Sequence, residues 1–180
     1  MYLRQEKPED YEAIYVLVKA AFETAEIKDG DEQDYVIELR KSSRYIPELA
    51  LVAAEKYEEK KQANAEQENI IGHIMLTQTE LVSRDKYYDT LLLSPLCVAL
   101  SCRKRGIGGA LIKESFRLAG ERGYSAVFLC GDPEYYMKYG FRKASEFGII
   151  NERDPDPEHV MAYELFPNAL KGKSGTINIL

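Results

Sequence analysis

Arg103-Lys104-Arg105-Gly106-Ile107-Gly108-Gly109 stands between an apolar run and a stretch with helical spacing. Upstream, Leu91-Leu92-Leu93-Ser94-Pro95-Leu96-Cys97-Val98 is apolar enough for a buried strand. Downstream, Ala110 to Arg122 holds no proline. It sets Leu111 and Leu118 on one stripe with Ile107, with Ile112, Phe116 and Ala119 beside it. Lys113, Arg117 and Glu121 mark the opposite, wet side. Two glycines at such a junction let backbone amides approach a ligand closely. The helix adds its unpaired amides and the positive end of its dipole. Three cationic side chains sit beside this cradle in a chain of formal net charge -6. The stretch reads as a phosphate site.

Outward from it, Gly123 ends the helix. Ala126-Val127-Phe128-Leu129-Cys130 is a second buried strand, with Cys130 a small core residue. Gly131-Asp132-Pro133 turns into a short helix from Glu134 to Tyr139, which Gly140-Phe141 breaks, and Met161 to Phe166 is a late strand. On the N-terminal side, Tyr2-Leu3-Arg4-Gln5 is a short strand and Pro8-Glu9-Asp10 starts a helix with Ile14, Leu17, Val18 and Phe22 on one face. Glu32 to Lys41 is a second helix, with Tyr35, Val36 and Leu39 inward. Leu49 to Ala54 and Asn69 to Thr77 make a hairpin around a solvated tip from Glu55 to Glu68, and Ser83 to Asp89 is a further polar turn. Strand–helix–strand around the glycine turn implies a parallel pair, whereas the hairpin is antiparallel, so the sheet is mixed. No repeat or linker divides the chain. Residues 1–180 are read as one domain of α/β (α+β) class, with residues 167–180 a tail that has no assigned element.

Composition narrows the function. The hydrophobic fraction of 45% and charged fraction of 30% are those of a water-soluble domain. No apolar run reaches bilayer-spanning length, and Met1-Tyr2-Leu3-Arg4-Gln5-Glu6-Lys7 lacks the apolar core of a secretory signal. Cys97, Cys102 and Cys130 are too few for a disulfide framework, so a cytoplasmic protein is expected. A net negative charge argues against nonspecific nucleic-acid binding and favours cationic partners such as amines. Two histidines without metal-ligand spacing, and no paired Cys-x-x-Cys, leave no metal site.

Val98, Arg103, Gly106 and Gly108 together resemble the (Gln/Arg)-x-x-Gly-x-(Gly/Ala) acyl-CoA motif of the GNAT superfamily of N-acyltransferases. Tyr135-Tyr136-Met137-Lys138-Tyr139-Gly140-Phe141 is similar to its later Tyr-x-x-x-Gly-Phe signature. The order of elements fits from Tyr2 to Phe166. The resemblance implies a mixed, mostly antiparallel sheet with a splayed parallel pair and helices on both faces. Acetyl-CoA is then the co-substrate, with Arg103, Lys104, Arg105, Gly106, Ile107, Gly108 and Gly109 around its pyrophosphate and its pantetheine arm against Leu96, Cys97 and Val98. The Val98 amide would polarise the thioester carbonyl, and Tyr136 would protonate the departing thiolate, with Tyr135 and Tyr139 as rivals. No general base is assigned: Glu80 and His73 are candidates, and His159 belongs to the acceptor side at most. Two departures stand out. Ala99-Leu100-Ser101-Cys102 replaces the proline, acidic and aromatic run common before the motif, and Gly131-Asp132-Pro133 occupies the place of a cofactor-contacting Asn.

Other classes share parts of this pattern. A dinucleotide fingerprint needs a glycine where Leu111 stands, and a P-loop needs Gly-Lys-(Ser/Thr) where the chain has Gly109-Ala110. A noncatalytic acyl-CoA sensor or complex subunit would keep every glycine and cation without needing Tyr136. The partner implied for an enzyme is a small-molecule or peptide amine, with no nucleic acid or membrane, and a homodimer is left open.

Overall fold

The computed structural model describes residues 1–25, 28–57, 67–153 and 157–179. Strand β1 (Tyr2–Gln5) leads through a 3-10 turn at Pro8–Asp10 into helix α1 (Tyr11–Phe22), followed by α2 (Glu32–Lys41). Three long strands come next: β2 (Tyr45–Tyr57), β3 (Gln67–Ser83) and β4 (Lys86–Val98). Helix α3 (Ile107–Glu121), β5 (Ala126–Cys130), α4 (Pro133–Tyr136), β6 (Arg142–Lys143), β7 (Ile149–Asn151), β8 (Val160–Glu164) and β9 (Gly175–Ile177) complete the chain. The main sheet runs β1-β2-β3-β4-β5-β8-β6, and β9 joins β3 and β7. β4–β5 and β7–β9 are parallel; every other pairing is antiparallel.

Both faces of this sheet are covered, and β2 shows why its sequence is apolar without alternation. Leu49, Leu51 and Ala53 pack with α3, whereas Ala50, Val52 and Ala54 pack with α1 and α2. A strand buried on both sides reads as a continuous apolar run. Helix α1 gives the sheet Ile14, Leu17, Val18 and Ala21, and α3 gives it Ile107, Leu111, Ile112, Phe116 and Ala119. Among the described residues no helix is long and apolar enough to cross a membrane.

Several elements differ from the sequence expectation. The hairpin strands run past Ala54 to Tyr57 and begin at Gln67; of the expected solvated tip, residues 58–66 lie outside the described residues. The Ser83–Asp89 turn is only Arg84 and Asp85, both with positive φ (48° and 62°). That pattern suits a two-residue hairpin turn, and the flanking polar residues belong to strands because one strand face meets water there. The Glu134–Tyr139 helix is the short α4 followed by a 3-10 turn at Met137–Tyr139, and it ends at Gly140 with φ 90°. The late strand is Val160–Glu164. Cys130 is exposed rather than a core residue, because β5 ends there at the sheet rim. The tail contributes β9, which extends the sheet along the β3 edge beyond the start of β2.

Candidate active site

Strands β4 and β5 begin side by side and then part. Their ladder comprises Leu91↔Val127 and Leu92↔Phe128. Beyond it β5 stays with β8 and β4 stays with β3. The cause lies in β4. Between Leu93 and Leu96 it uses one residue more than β3 uses between Leu76 and Ile74, a bulge at Ser94-Pro95. A bulge bends its strand, and Pro95 has no amide for a ladder.

Backbone direction in the last stretch of β4 follows from one bond. Ala99 donates its amide to the Ile71 carbonyl at 2.9 Å. Alternation then turns the backbone groups of Cys97 toward β3 as well, and those of Leu96 and Val98 toward the side that β5 has left. Leu96 and Val98 therefore present an open strand edge, whereas Cys97 contributes a side chain. Burial pushes the Cys97 thiol up to about 12, so it stays a neutral, unreactive group at physiological pH.

The chain next forms the cradle. A 3-10 turn at Leu100–Cys102 leads to Arg103, Lys104 (φ 63°) and Gly106 (φ 79°), and α3 starts at Ile107. The first bond into the helix is the Ala110 amide to the Gly106 carbonyl, 3.0 Å. The amides of Ile107, Gly108 and Gly109 have no acceptor within the helix, as at any helix start. The three cations divide. Arg103 donates to the Ala21 carbonyl at the end of α1, 3.0 Å. Arg105 pairs with Glu55 at 2.6 Å and lies 3.3 Å from the Cys102 sulfur. Lys104 is exposed and enters no ion pair among the described residues.

Three tyrosines close the other side. The Tyr136 ring packs on Tyr135 and Phe141, with centroids 5.0 and 5.4 Å apart. Burial pushes its hydroxyl above the ordinary phenol range, and the charge of Asp132 adds to this, with smaller contributions from Cys97 and Cys130. The ring also lies against Gly131, just past the end of β5, where a Cβ would meet its Cε2 at 2.6 Å. Asp132 also caps α4, accepting from the Glu134 amide at 2.9 Å. Tyr135 is raised too, by burial and then by its hydrogen bond with Tyr139. The sequence reading missed a second use of the glycines. The Tyr135 hydroxyl lies against Gly108 and the Tyr139 ring against Gly109, where a Cβ would meet Cε1 at 2.8 Å. The signal was present: a Gly-Gly pair opposite two tyrosines four residues apart, which share one side of a helix.

The base candidates scatter. Glu80 lies inside β3, opposite Asp89 and exposed, toward the hairpin end rather than the cleft. His73 is fully buried, with Nε2 2.9 Å from Glu6. Glu6 also accepts from Arg40 (2.8 Å to each oxygen) and from the Tyr45 hydroxyl (2.8 Å). Burial pushes the Glu6 carboxyl up, but the Arg40 and His73 bonds overcome this and hold it at about 2. His159 precedes β8, and its carbonyl accepts from the Gly131 amide at 2.9 Å.

A split parallel pair, an open strand edge and a helix start with unpaired amides follow one another between Leu91 and Gly109. A sequence model described as the acetyltransferase (GNAT) domain matches residues 3–144. The chain belongs to the GNAT acetyltransferase family. It is 26% identical over 177 residues to YhbS of Escherichia coli, named an uncharacterized N-acetyltransferase, covering 98% of this chain and 95% of that protein. The crystal structure of Escherichia coli YhbS in complex with CoA superimposes with a TM-score of 0.83 at 23% identity, over 99% of this chain and 89% of that one. A GNAT family acetyltransferase from Brucella melitensis in complex with acetyl-CoA gives 0.73 at 22% identity, over 99% and 95%. These structural likenesses carry the GNAT fold: a mostly antiparallel sheet, a splayed parallel pair and helices on both faces.

Proposed function

We propose that the protein is an acetyl-CoA-dependent N-acetyltransferase that moves the acetyl group to a primary amine by direct attack in a ternary complex. The observation that carries this is the alignment of two features. The open edge of β4 at Leu96 and Val98 leads straight to the unpaired amides of Ile107, Gly108 and Gly109. The edge suits the extended, amide-bearing pantetheine arm, which can add to a sheet as a strand does. The helix start suits the pyrophosphate. The residues present therefore fit coenzyme A, and the CoA and acetyl-CoA complexes of the two relatives support the same co-substrate.

In this reading the Val98 amide donates to the thioester carbonyl oxygen as negative charge grows there. Such a donor is worth about 3 kcal/mol in acyl-transfer sites. A neutral amine forms the C–N bond, the C–S bond breaks, and Tyr136 gives its proton to the departing sulfur. Burial keeps the phenol protonated at neutral pH, as an acid must be. The phenolate is reprotonated by the proton that the amine nitrogen releases. The acceptor is a small-molecule or peptide amine.

The test is thiol release from acetyl-CoA with a panel of amines, alongside calorimetric binding of CoA. Tyr136→Phe is expected to lower turnover by about a hundredfold with CoA affinity unchanged. CoA binding without turnover on any amine, and no effect of Tyr136→Phe, would establish a noncatalytic acyl-CoA sensor instead.

A further inference from the structure

The edge of β3 that faces β2 changes partner part-way. β2 pairs with it as far as Tyr45↔Thr77, and β9 takes over at Leu81↔Ile177. Two arginines converge on the gap. Arg44 immediately precedes Tyr45, and its carbonyl accepts from the Gln78 amide at 2.9 Å. Arg153 arrives from the other end. β7 is parallel to β9 with Asn151↔Ile177, and the Asn151 side chain accepts from the Ile179 amide at 3.0 Å. The chain after β7 thus runs beside the chain after β9, toward the start of β2.

Buried polar atoms mark the same place. Thr77, opposite Tyr45, is fully buried, and its Oγ1 has no hydrogen-bond partner. The Tyr35 hydroxyl on α2 is likewise out of solvent, and the group within hydrogen-bonding reach of it is the Arg44 side chain. Arg44 and Arg153 are both among the charges acting on that hydroxyl, as is the exposed Glu38. Buried polar groups are normally satisfied, so an orphan asks for an explanation. The arginines add a second anomaly. Arg4, Arg40, Arg105, Arg117, Arg122 and Arg142 all pair with carboxylates. Arg44, Arg84, Arg103 and Arg153 enter no ion pair among the described residues; of these Arg84 stands in the β3–β4 turn and Arg103 is held by the Ala21 carbonyl, whereas Arg44 and Arg153 flank the gap.

The gap also lies in reach of the acyl site. His73, Met75 and Thr77 alternate onto the face of β3 that α1 and α2 cover, and Met75 stands opposite the β4 bulge. Thr77 is two residues further on, roughly 7 Å along the strand. Lateral separation from the cleft is about two strand spacings, on the order of 10 Å.

We propose that the acceptor amine carries an anionic group, a carboxylate or phosphate, and that Arg44 and Arg153 hold it at the gap between β2 and β9. Guanidinium groups suit both anions through paired hydrogen bonds. The proposal rests on the N-acetyltransferase reading and supplies its acceptor class. The spacing selects acceptors whose amine and anion are several bonds apart.

The experiment compares aminohexanoate, aminohexyl phosphate and the neutral aminohexanol as acceptors, in the wild type, Arg44→Gln and Arg153→Gln. Turnover is measured, together with calorimetric binding of each amine to the protein–CoA complex. CoA affinity in each variant reports an intact fold. An anionic acceptor is expected to exceed the alcohol in kcat/KM by roughly tenfold or more, the worth of one charge-assisted hydrogen bond. Either substitution should erase that preference through KM and leave the alcohol unchanged. The two anionic arms tell carboxylate from phosphate. Equal use of all three amines, or an anion preference that survives both substitutions, overturns the proposal. Arginine-dependent binding of an anionic amine without any turnover would uphold the anion site while removing the acetyltransferase reading.

Discussion

Gly108→Ala probes how the tyrosine cluster seats on the cradle. A Cβ at this position would overlap the Tyr135 hydroxyl, whereas the Cζ behind that hydroxyl is 3.8 Å away and Val98 Cγ2 is 3.9 Å away. One oxygen atom therefore makes the whole clash. Overpacking of this kind costs about 1–3 kcal/mol, set against a gain of up to about 1 kcal/mol for replacing glycine in a helix. In the Tyr135→Phe background the overlap is gone and only the gain remains. The substitution should therefore destabilise the wild type by up to about 3 kcal/mol and leave the Tyr135→Phe protein unchanged or slightly more stable. The two backgrounds should differ by about 1–3 kcal/mol, within the range measured for residues in contact. Urea melts of the four proteins give this coupling directly. At about 2–4 °C per kcal/mol for a chain of this size, thermal melts should show it too. An equal effect of Gly108→Ala in both backgrounds refutes the placement of Tyr135 on the glycine.

Three further outcomes are expected. Gly108→Asp should abolish CoA binding by calorimetry, since a carboxylate at the helix start repels the pyrophosphate; unaltered affinity in a folded variant contradicts the cradle. Glu6 is held at about 2 against an ordinary value of 4.5. A depressed folded-state value means stability that is present above the unfolded value and lost as pH falls through the folded one. Glu6 should thus contribute on the order of 3 kcal/mol at neutral pH, lost between about pH 4.5 and 2, and Glu6→Gln should flatten that stretch of the stability–pH curve while lowering stability at neutral pH. Gly175→Ala should cost about 3 kcal/mol or more, because its Cβ would overlap the Val82 carbonyl, which is strand backbone and cannot move aside; an unchanged melting temperature would show that β9 is not seated on β3.

Much of the fold could be read from local pattern. Helix α2 runs over Glu32–Lys41 and β5 over Ala126–Cys130, as their spacing predicts. The longer strands were read short because their ends are polar. Lys86, Tyr87 and Asp89 resemble turn residues, but they pair across the hairpin with Ser83, Val82 and Glu80. Strand β9 was illegible because Gly175-Thr176-Ile177 has no periodicity of its own and is a strand only by virtue of β3 and β7. At the site, the cations read as phosphate ligands have partners that no local pattern announces: Arg103 bonds the Ala21 carbonyl and Arg105 the Glu55 carboxylate.

The sequence by itself determined the glycine turn, the helix behind it and the strand before it, since a left-handed glycine, helical spacing and apolar runs are properties of residues that are neighbours in the chain. The tertiary structure alone decided which backbone groups β4 leaves open, where the three tyrosines rest, and which arginines remain without a carboxylate. Those outcomes depend on contacts across long stretches of chain. Arg103 meets a carbonyl 82 residues away and Arg105 a carboxylate 50 residues away, and no local pattern encodes a partner at that distance.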